Sequence, residues 1–255
     1  MALYEHPVRI LMREMADALQ LAPGQLFSRE DALRWFEKHY PLVKAGTIAA
    51  HLTRLSTNNR TRLNYAPRTD DDVLFQVNSR QFRRYDSASD PAPIHDGGTD
   101  GTPLPDDATD AERVAVNTSE FAYEHDLRDY LARNLHLIEP GLKLYEEEGV
   151  TGIEFPAGGR FVDILAVDSA GGYVVIELKV SRGYDRTVGQ LLRYVGWIEL
   201  HHADPGQSVR GVIVAKDVSQ DLRMACRRIT GVKLFEYRLS VTLESVELGQ
   251  RVERP

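Results

Sequence analysis

The sequence predicts an α/β chain in two parts: a small helical domain closed by a strand hairpin, then an acidic tether, then a larger domain whose mixed sheet is flanked by helices. Three observations carry this. Apolar residues recur at helical spacing up to Leu55, they thin out between Ser87 and Ser119, and beyond that two near-continuous apolar runs rich in Val and Ile precede another helical pattern. The 255 residues are 42% apolar and 27% charged, the balance of a folded globular chain rather than a disordered or fibrous one.

The first helix follows from Val8, Ile10, Leu11, Met15, Ala18 and Leu19, with Ala22-Pro23-Gly24 as its stop. Ser28, with Asp31 three residues on, forms a capping-box pattern for a second helix whose apolar stripe is Ala32, Leu33, Trp35 and Phe36. A third helix is predicted over Ala45 to Leu55, with Ile48, Ala49, Leu52 and Leu55 inward and Lys44, His51 and Arg54 outward. Leu63–Ala66 and Val73–Val77 read as two strands around the polar turn Pro67–Asp72. Three helices and a two-stranded wing make the winged helix-turn-helix plan, assigned to residues 1–86. Val43 to Arg68 holds five bases and no acid. Because a recognition helix enters the major groove while neighbouring segments meet phosphates, Lys44, Arg54, Asn58, Asn59, Arg60 and Arg62 are the DNA-binding candidates here. A protein-binding winged helix with a solvated basic surface is the alternative.

Residues 87–119 carry a net charge of -6, against +3 before them and -4 after them. Such a segment cannot bury enough surface to offset its ordering entropy and should behave as a flexible, self-repelling tether. The overall charge of -7 excludes a uniformly basic coat but not a local basic face. The lone cysteine, Cys226, excludes an internal disulfide, and no Cys/His spacing suits structural zinc. Without a cationic start followed by an apolar run, or an apolar stretch of membrane-spanning length, a cytosolic (cytoplasmic) protein is expected, with no membrane partner.

In residues 120–255, Phe121, Tyr123, Leu127, Tyr130 and Leu131 mark an amphipathic helix that also contains Glu124. Strands are predicted at Leu142–Tyr145, Phe161–Val167 and Tyr173–Lys179, the last two forming a hairpin about Asp168–Gly172 and buried on both faces. Three charged groups interrupt that hairpin: Asp163, Glu177 and Lys179. Burying charge is costly unless it is paired or binds a cation. Glu177 and Lys179 are two apart and share a strand face, and Asp163 can sit beside them on the neighbouring strand. Two converging carboxylates offer hard oxygen ligands for Mg²⁺, with Mn²⁺ able to substitute. Such an ion would polarise a phosphodiester and acidify a bound water, and Lys179 would orient that water or meet charge in the transition state. In isolation, the same residues would favour a structural ion pair over a metal centre. On the following helix, Arg186, Gln190 and Arg193 fall on one face, where they could meet a phosphate backbone, while Val188, Leu191, Leu192 and Val195 are set to pack on the sheet.

The run from Ile138-Glu139-Pro140-Gly141-Leu142 through Gly159–Leu165 and Val175–Lys179 to Gly189–Trp197 resembles the nuclease domain of the NucS/EndoMS family, within the PD-(D/E)XK superfamily of metal-dependent nucleases. The resemblance implies a restriction-endonuclease-like α/β fold over roughly residues 120–240. It also implies that Asp163, Glu177 and Lys179 are the catalytic carboxylates and lysine, that Glu124 is an additional acidic residue on the first helix, and that Gln190 is the glutamine after the Glu-x-Lys strand. The family's N-terminal domain is β-rich, unlike residues 1–86, so mismatch specificity is not carried over. Thr47–Leu52 and Arg83–Asp86 resemble a recognition domain of restriction-associated proteins, more weakly.

The expectation is therefore a Mg²⁺-dependent endodeoxyribonuclease acting on double-stranded DNA as a homodimer, in restriction of foreign or modified DNA. Mismatch-directed cleavage in repair and a non-catalytic DNA-binding regulator are the alternatives. His201-His202 with Asp204 is better placed at a helix end than at a second metal, because adjacent helical residues diverge by ~100°, and Cys226 is expected to serve packing.

Overall fold

The computed structural model describes residues 4–19, 24–95, 118–179 and 184–238. In the first domain, helices α1 (Val8–Ala18), α2 (Arg29–His39) and α3 (Ala45–Leu55) accompany an antiparallel sheet of β1 (Phe27–Ser28), β2 (Leu74–Gln76) and β3 (Gln81–Arg84) in the order β1-β3-β2. The Ser28 hydroxyl accepts the Asp31 N–H at 3.1 Å and the Asp31 carboxylate accepts the Ser28 N–H at 2.8 Å, so the predicted capping box starts α2. Leu11, Met15, Phe36, Leu52, Leu55 and Phe82 fill one apolar core. Ala22 and Pro23, the expected stop of α1, lie outside the described residues.

Two sequence expectations are corrected here. Leu63–Ala66 is not a strand. It belongs to a 3-10 turn over Arg60–Tyr65, capped by Asn59, whose side-chain oxygen accepts the Thr61 N–H at 2.9 Å. Arg62 and Tyr65, three apart and therefore eclipsed on such a turn, both point inward. The hairpin lies one strand later, between β2 and β3, where Asn78 accepts the N–H groups of Arg80 and Gln81.

The second correction concerns α3. Every residue from Gly46 to Leu55 is buried, including Thr47, His51 and Arg54. One face packs on α1 and α2 through Ile48, Leu52 and Leu55, and the small residues Gly46 and Ala50 let the other face approach the second domain. A Cβ on Gly46 would stand 2.6 Å from His202 Nδ1 and 2.8 Å from Phe155 Cζ. The apolar stripe was right, but small residues opposite it conceal a second packed face.

In the second domain, α4 (Thr118–Arg133) precedes β4 (Lys143–Leu144), the ribbon β5 (Glu146–Glu147) and β6 (Val150–Thr151), then β7 (Ile153–Ala157), β8 (Arg160–Val167), β9 (Tyr173–Lys179), α5 (Tyr184–His201), β10 (Val209–Ala215), α6 (Gln220–Arg227) and β11 (Val232–Glu236). The main sheet runs β11-β10-β9-β8-β4, with β7 also paired to β8. Strands β9, β10 and β11 are parallel, and β8 is antiparallel to β9, β4 and β7. The sheet is therefore mixed, as expected. One face packs on α4 through Ile164, Ile176 and Leu178, and the other packs on α5 and α6 through Val175, Leu191, Tyr194 and Leu222. Leu192, expected against the sheet, is instead 39% exposed. Phe121 and Tyr123 lie outside the described side chains.

The start of the expected tether is bonded to the first domain: Asp90 pairs with Arg83, the Ile94 N–H donates to Thr57 O at 2.9 Å, and His95 meets Asp72 at 2.9 Å. The rest of that segment, 96–117, lies outside the described residues. No helix among the described residues is long and apolar enough to cross a membrane.

Candidate active site

The β8–β9 hairpin brings together the three charged residues singled out in the sequence. Its ladder pairs Ile164 with Ile176, and one step further the same register sets Asp163 across from Glu177. There the ladder gives way: the Asp163 carboxylate accepts the Leu178 N–H at 2.7 Å in place of a carbonyl. Glu177 and Lys179 follow Val175 along the face that α5 covers, as strand alternation requires.

The two carboxylates are held in an environment hostile to charge. Burial, chiefly, pushes Asp163 up to about 7, with the Leu178 N–H opposing the shift and the charge of Glu124 adding to it. Burial likewise raises Glu177 well above the carboxylate range, helped by Asp163 and Glu124 and opposed by Lys179 and Arg193. Glu177 is 4% exposed and its Oε2 has no hydrogen-bond partner. A buried carboxylate oxygen without a donor can take water, an ion or a ligand. Glu124 on α4 thus acts on both acids, and Lys179 and Arg193 act on Glu177, so the structure gathers these predicted residues around one point.

Gln190 on α5 donates to the Tyr194 hydroxyl at 3.3 Å. Tyr194 is pushed up to about 12, first by burial and then by Glu177. The sequence reading missed Tyr194, although its position four residues after Gln190 was a usable signal. It also missed Arg128 and Glu154, which meet in an ion pair beside this centre.

Two carboxylates on neighbouring strands that act on one another, with an unbonded oxygen and no arginine bonded to either among the described contacts, fit a divalent cation. Among the described residues no three His, Cys, Asp or Glu side chains form a metal cluster, so an ion would rest on Asp163 and Glu177 and complete its shell with water and phosphate oxygen.

The basic candidates divide sharply. Arg60, Arg186 and Arg193 are exposed, and the Arg193 guanidinium lies 5.4 Å from the Tyr194 ring centre. The others are committed internally, which overturns their expected place on a DNA-facing surface. Arg54 bonds Asp71 at 3.1 Å and Gly149 O at 3.1 Å. Arg62, fully buried, bonds Asp72 at 2.8 Å. Lys44 donates to Tyr173 and Asp204, both at 3.3 Å. Asn58 brackets the backbone of Gln76, and Asn59 donates to the Gln76 side chain at 2.6 Å. Of the paired histidines, His201 is exposed, while His202 is buried with both ring nitrogens unbonded and is lowered to about 3 by burial. Cys226 is buried in the core.

Comparison with known proteins adds two matches. Residues 123–235 match the endonuclease NucS C-terminal domain, and residues 7–84 match a separate domain of unknown function, DUF7669. Endonuclease NucS of Methanopyrus kandleri is 32% identical over 111 residues, covering 44% of this chain and 38% of the relative. That of Thermococcus kodakarensis is 36% identical over 113 residues, covering 44% and 39%, and that of Micrococcus luteus 41% identical over 119 residues, covering 46% and 47%. The chain spans about two fifths of the length of the first two relatives. A repair endonuclease from Pyrococcus abyssi has a TM-score of 0.38 at 26% identity, covering 45% of this chain and 46% of that one. An EndoMS complex with double-stranded DNA has a TM-score of 0.37 at 21% identity, covering 64% and 53%. The second domain is NucS-like, as the resemblance implied, and an additional domain precedes it.

Proposed function

We propose that the chain is a DNA endonuclease that hydrolyses phosphodiester bonds with a divalent cation, Mg²⁺ or Mn²⁺, held by Asp163 and Glu177. The observation that carries this is the pair itself: a half-buried Asp163 and a buried Glu177 face each other across the β8–β9 hairpin and act on one another, and Glu177 keeps an oxygen without any donor. The likeness of residues 123–235 to the NucS C-terminal domain supplies the reaction class.

When bound, the cation supplies Lewis acidity toward a phosphate oxygen and a lowered pKa for a coordinated water. The chain's own groups do the rest. Lys179, on the same strand face as Glu177, would set a cation beside the phosphate oxygens on which transition-state charge develops. Glu124 adds a third acid that disfavours a proton-free pair unless a cation arrives. Gln190 and Tyr194 form the wall that α5 sets over Glu177. Arg60, Arg186 and Arg193 lie at the surface, where they can meet a phosphate backbone.

Within this function we place the protein in restriction of foreign or modified DNA, acting on duplexes as a homodimer so that two centres serve two strands. What favours this over mismatch repair is the domain ahead of the nuclease: the NucS C-terminal domain matches residues 123–235, residues 7–84 match a separate domain, and target choice would rest on that module. The test is cleavage of plasmid DNA from modifying and non-modifying hosts, beside a panel of mismatched duplexes, with Mg²⁺ and then EDTA. Cutting that depends on host modification and ceases with EDTA is expected. Preference for mismatched duplexes would move the function to repair, and cutting unaffected by EDTA or by Asp163→Ala would remove the metal centre.

A further inference from the structure

The strand β7 contains a residue that no sequence pattern picks out. Glu154 has φ 47°, in the left-handed region that a residue with a Cβ rarely occupies. Its neighbours in the β7–β8 ladder pair Ile153 with Ile164 and Phe155 with Val162, so Glu154 stands across from Asp163. A backbone conformation of this kind persists only where its surroundings over-determine it.

The surroundings come from two directions. From the first domain, the Asn64 side-chain amide donates to Glu154 Oε2 at 3.1 Å and the buried Tyr65 hydroxyl donates to Glu154 O at 3.2 Å. Thr151 returns a hydrogen bond to Asn64 O at 3.4 Å. From α4, Arg128 donates to the other carboxylate oxygen, Glu154 Oε1, and also pairs with Asp129 at 3.0 Å. His125 Nδ1 lies 3.8 Å from Glu154 Oε1. Arg128 is 8% exposed, so it is a buried guanidinium kept in place by a carboxylate that the first domain holds.

We infer that the first domain sets the active centre through Glu154: Asn64 and Tyr65 fix this residue across from Asp163, and Glu154 in turn keeps Arg128 away from the metal-holding carboxylates. Glu154, Arg128, Asn64 and Tyr65 are then positioning residues, and docking of the first domain is a condition of catalysis. Arg128 and Glu154 both lie within electrostatic reach of Asp163. Without Glu154 in place, Arg128 keeps Asp129 on its Nε and Nη2 side but loses the partner of Nη1, which is then open to the carboxylates meant for the cation, and an arginine there would occupy its seat. The inference rests on the nuclease reading for its catalytic half only.

The experiment uses the full chain and two readouts, single-turnover cleavage of a DNA duplex and calorimetric titration with Mn²⁺ in the absence of DNA. In the double variant Asn64→Ala with Tyr65→Phe, and separately in Glu154→Gln, the cleavage rate should fall by at least about tenfold and Mn²⁺ affinity by several-fold, with DNA affinity within about twofold. A purely structural contact would lower the melting temperature and leave rate and Mn²⁺ affinity unchanged, which would overturn the inference. Should the wild type bind Mn²⁺ and cut no DNA, the nuclease reading fails and the Mn²⁺ arm decides alone. Should the wild type bind no Mn²⁺, both fail. If the double variant does not fold, Tyr65→Phe, which removes one hydroxyl and keeps the ring, decides: a fall of about threefold in rate or affinity supports the coupling, and none refutes it.

Discussion

Two clusters of buried charge sit in this molecule, one in each domain, and they are resolved in opposite ways. In the first domain Arg54 and Arg62 meet Asp71 and Asp72 at 3.1 and 2.8 Å, two cations against two anions. Single atoms there lack a hydrogen bond, Arg62 Nη1 and Asp71 Oδ1 among them, but each anion faces a cation, with Arg13 in addition 3.9 Å from Asp71 Oδ1. In the second domain Asp163 and Glu177 converge with like charge, and the buried arginine nearest to them, Arg128, is bonded to Glu154 and Asp129 instead. Charge balance, more than an orphaned atom, thus separates a structural cluster from one that awaits a ligand. The first cluster joins the domain to itself and, through Gly149, to its neighbour. The second is costly in the absence of a cation.

Substitutions should expose this contrast. Asp163→Ala or Glu177→Ala is expected to lower DNA cleavage by more than about a thousandfold and leave the fold intact, read by cleavage rate and circular dichroism. Asp71→Ala should do the reverse, stranding the buried Arg54 guanidinium and costing about 3–5 kcal/mol in a denaturant titration. If the Asp71 variant proved as stable as the wild type, the distinction between the clusters would be lost.

The pH dependence sharpens the comparison. Asp163 stands near 7 in the folded protein against an ordinary 3.8, so the folded state holds its proton more tightly than the unfolded one. Stability from this group is full below about pH 4 and falls away as pH rises toward 7. Metal-free Asp163→Asn, which keeps an acceptor for the Leu178 N–H, should therefore melt above the wild type at pH 8, with the gap closing near pH 4. An equal gap at both values would show that the carboxylate is not held in a charge-averse site.

Between the clusters lies the domain contact. Gly46→Leu must displace His202 and Phe155 and should cost about 1–3 kcal/mol, measured by thermal melting. The smallest effect belongs to Lys44→Ala, which removes a pair with the largely exposed Asp204 and should change stability by less than about 1 kcal/mol.

Much of the second domain was legible because its signals are local. The apolar runs flanking Asp168–Gly172 announce β8 and β9, and three charges inside them announce the site. The capping box at Ser28 and Asp31 was legible for the same reason. The first domain misled where long-range packing decides. A helix with one apolar stripe and small residues opposite it reads as amphipathic, yet α3 is packed on both sides, which turned His51 and Arg54 inward. Arg62 reads as a surface cation until Asp72 and a 3-10 turn enclose it. Glu154 was invisible, since neither its left-handed backbone nor its place across from Asp163 can be read from a strand sequence.

The most direct test is a calorimetric titration of the full chain with Mn²⁺ at pH 8, repeated on Asp163→Asn and Glu177→Gln. A saturable site in the wild type that is lost or weakened by orders of magnitude in both variants is the predicted result. Undiminished binding in either variant, or none in the wild type, would contradict the claim that this carboxylate pair holds a divalent ion.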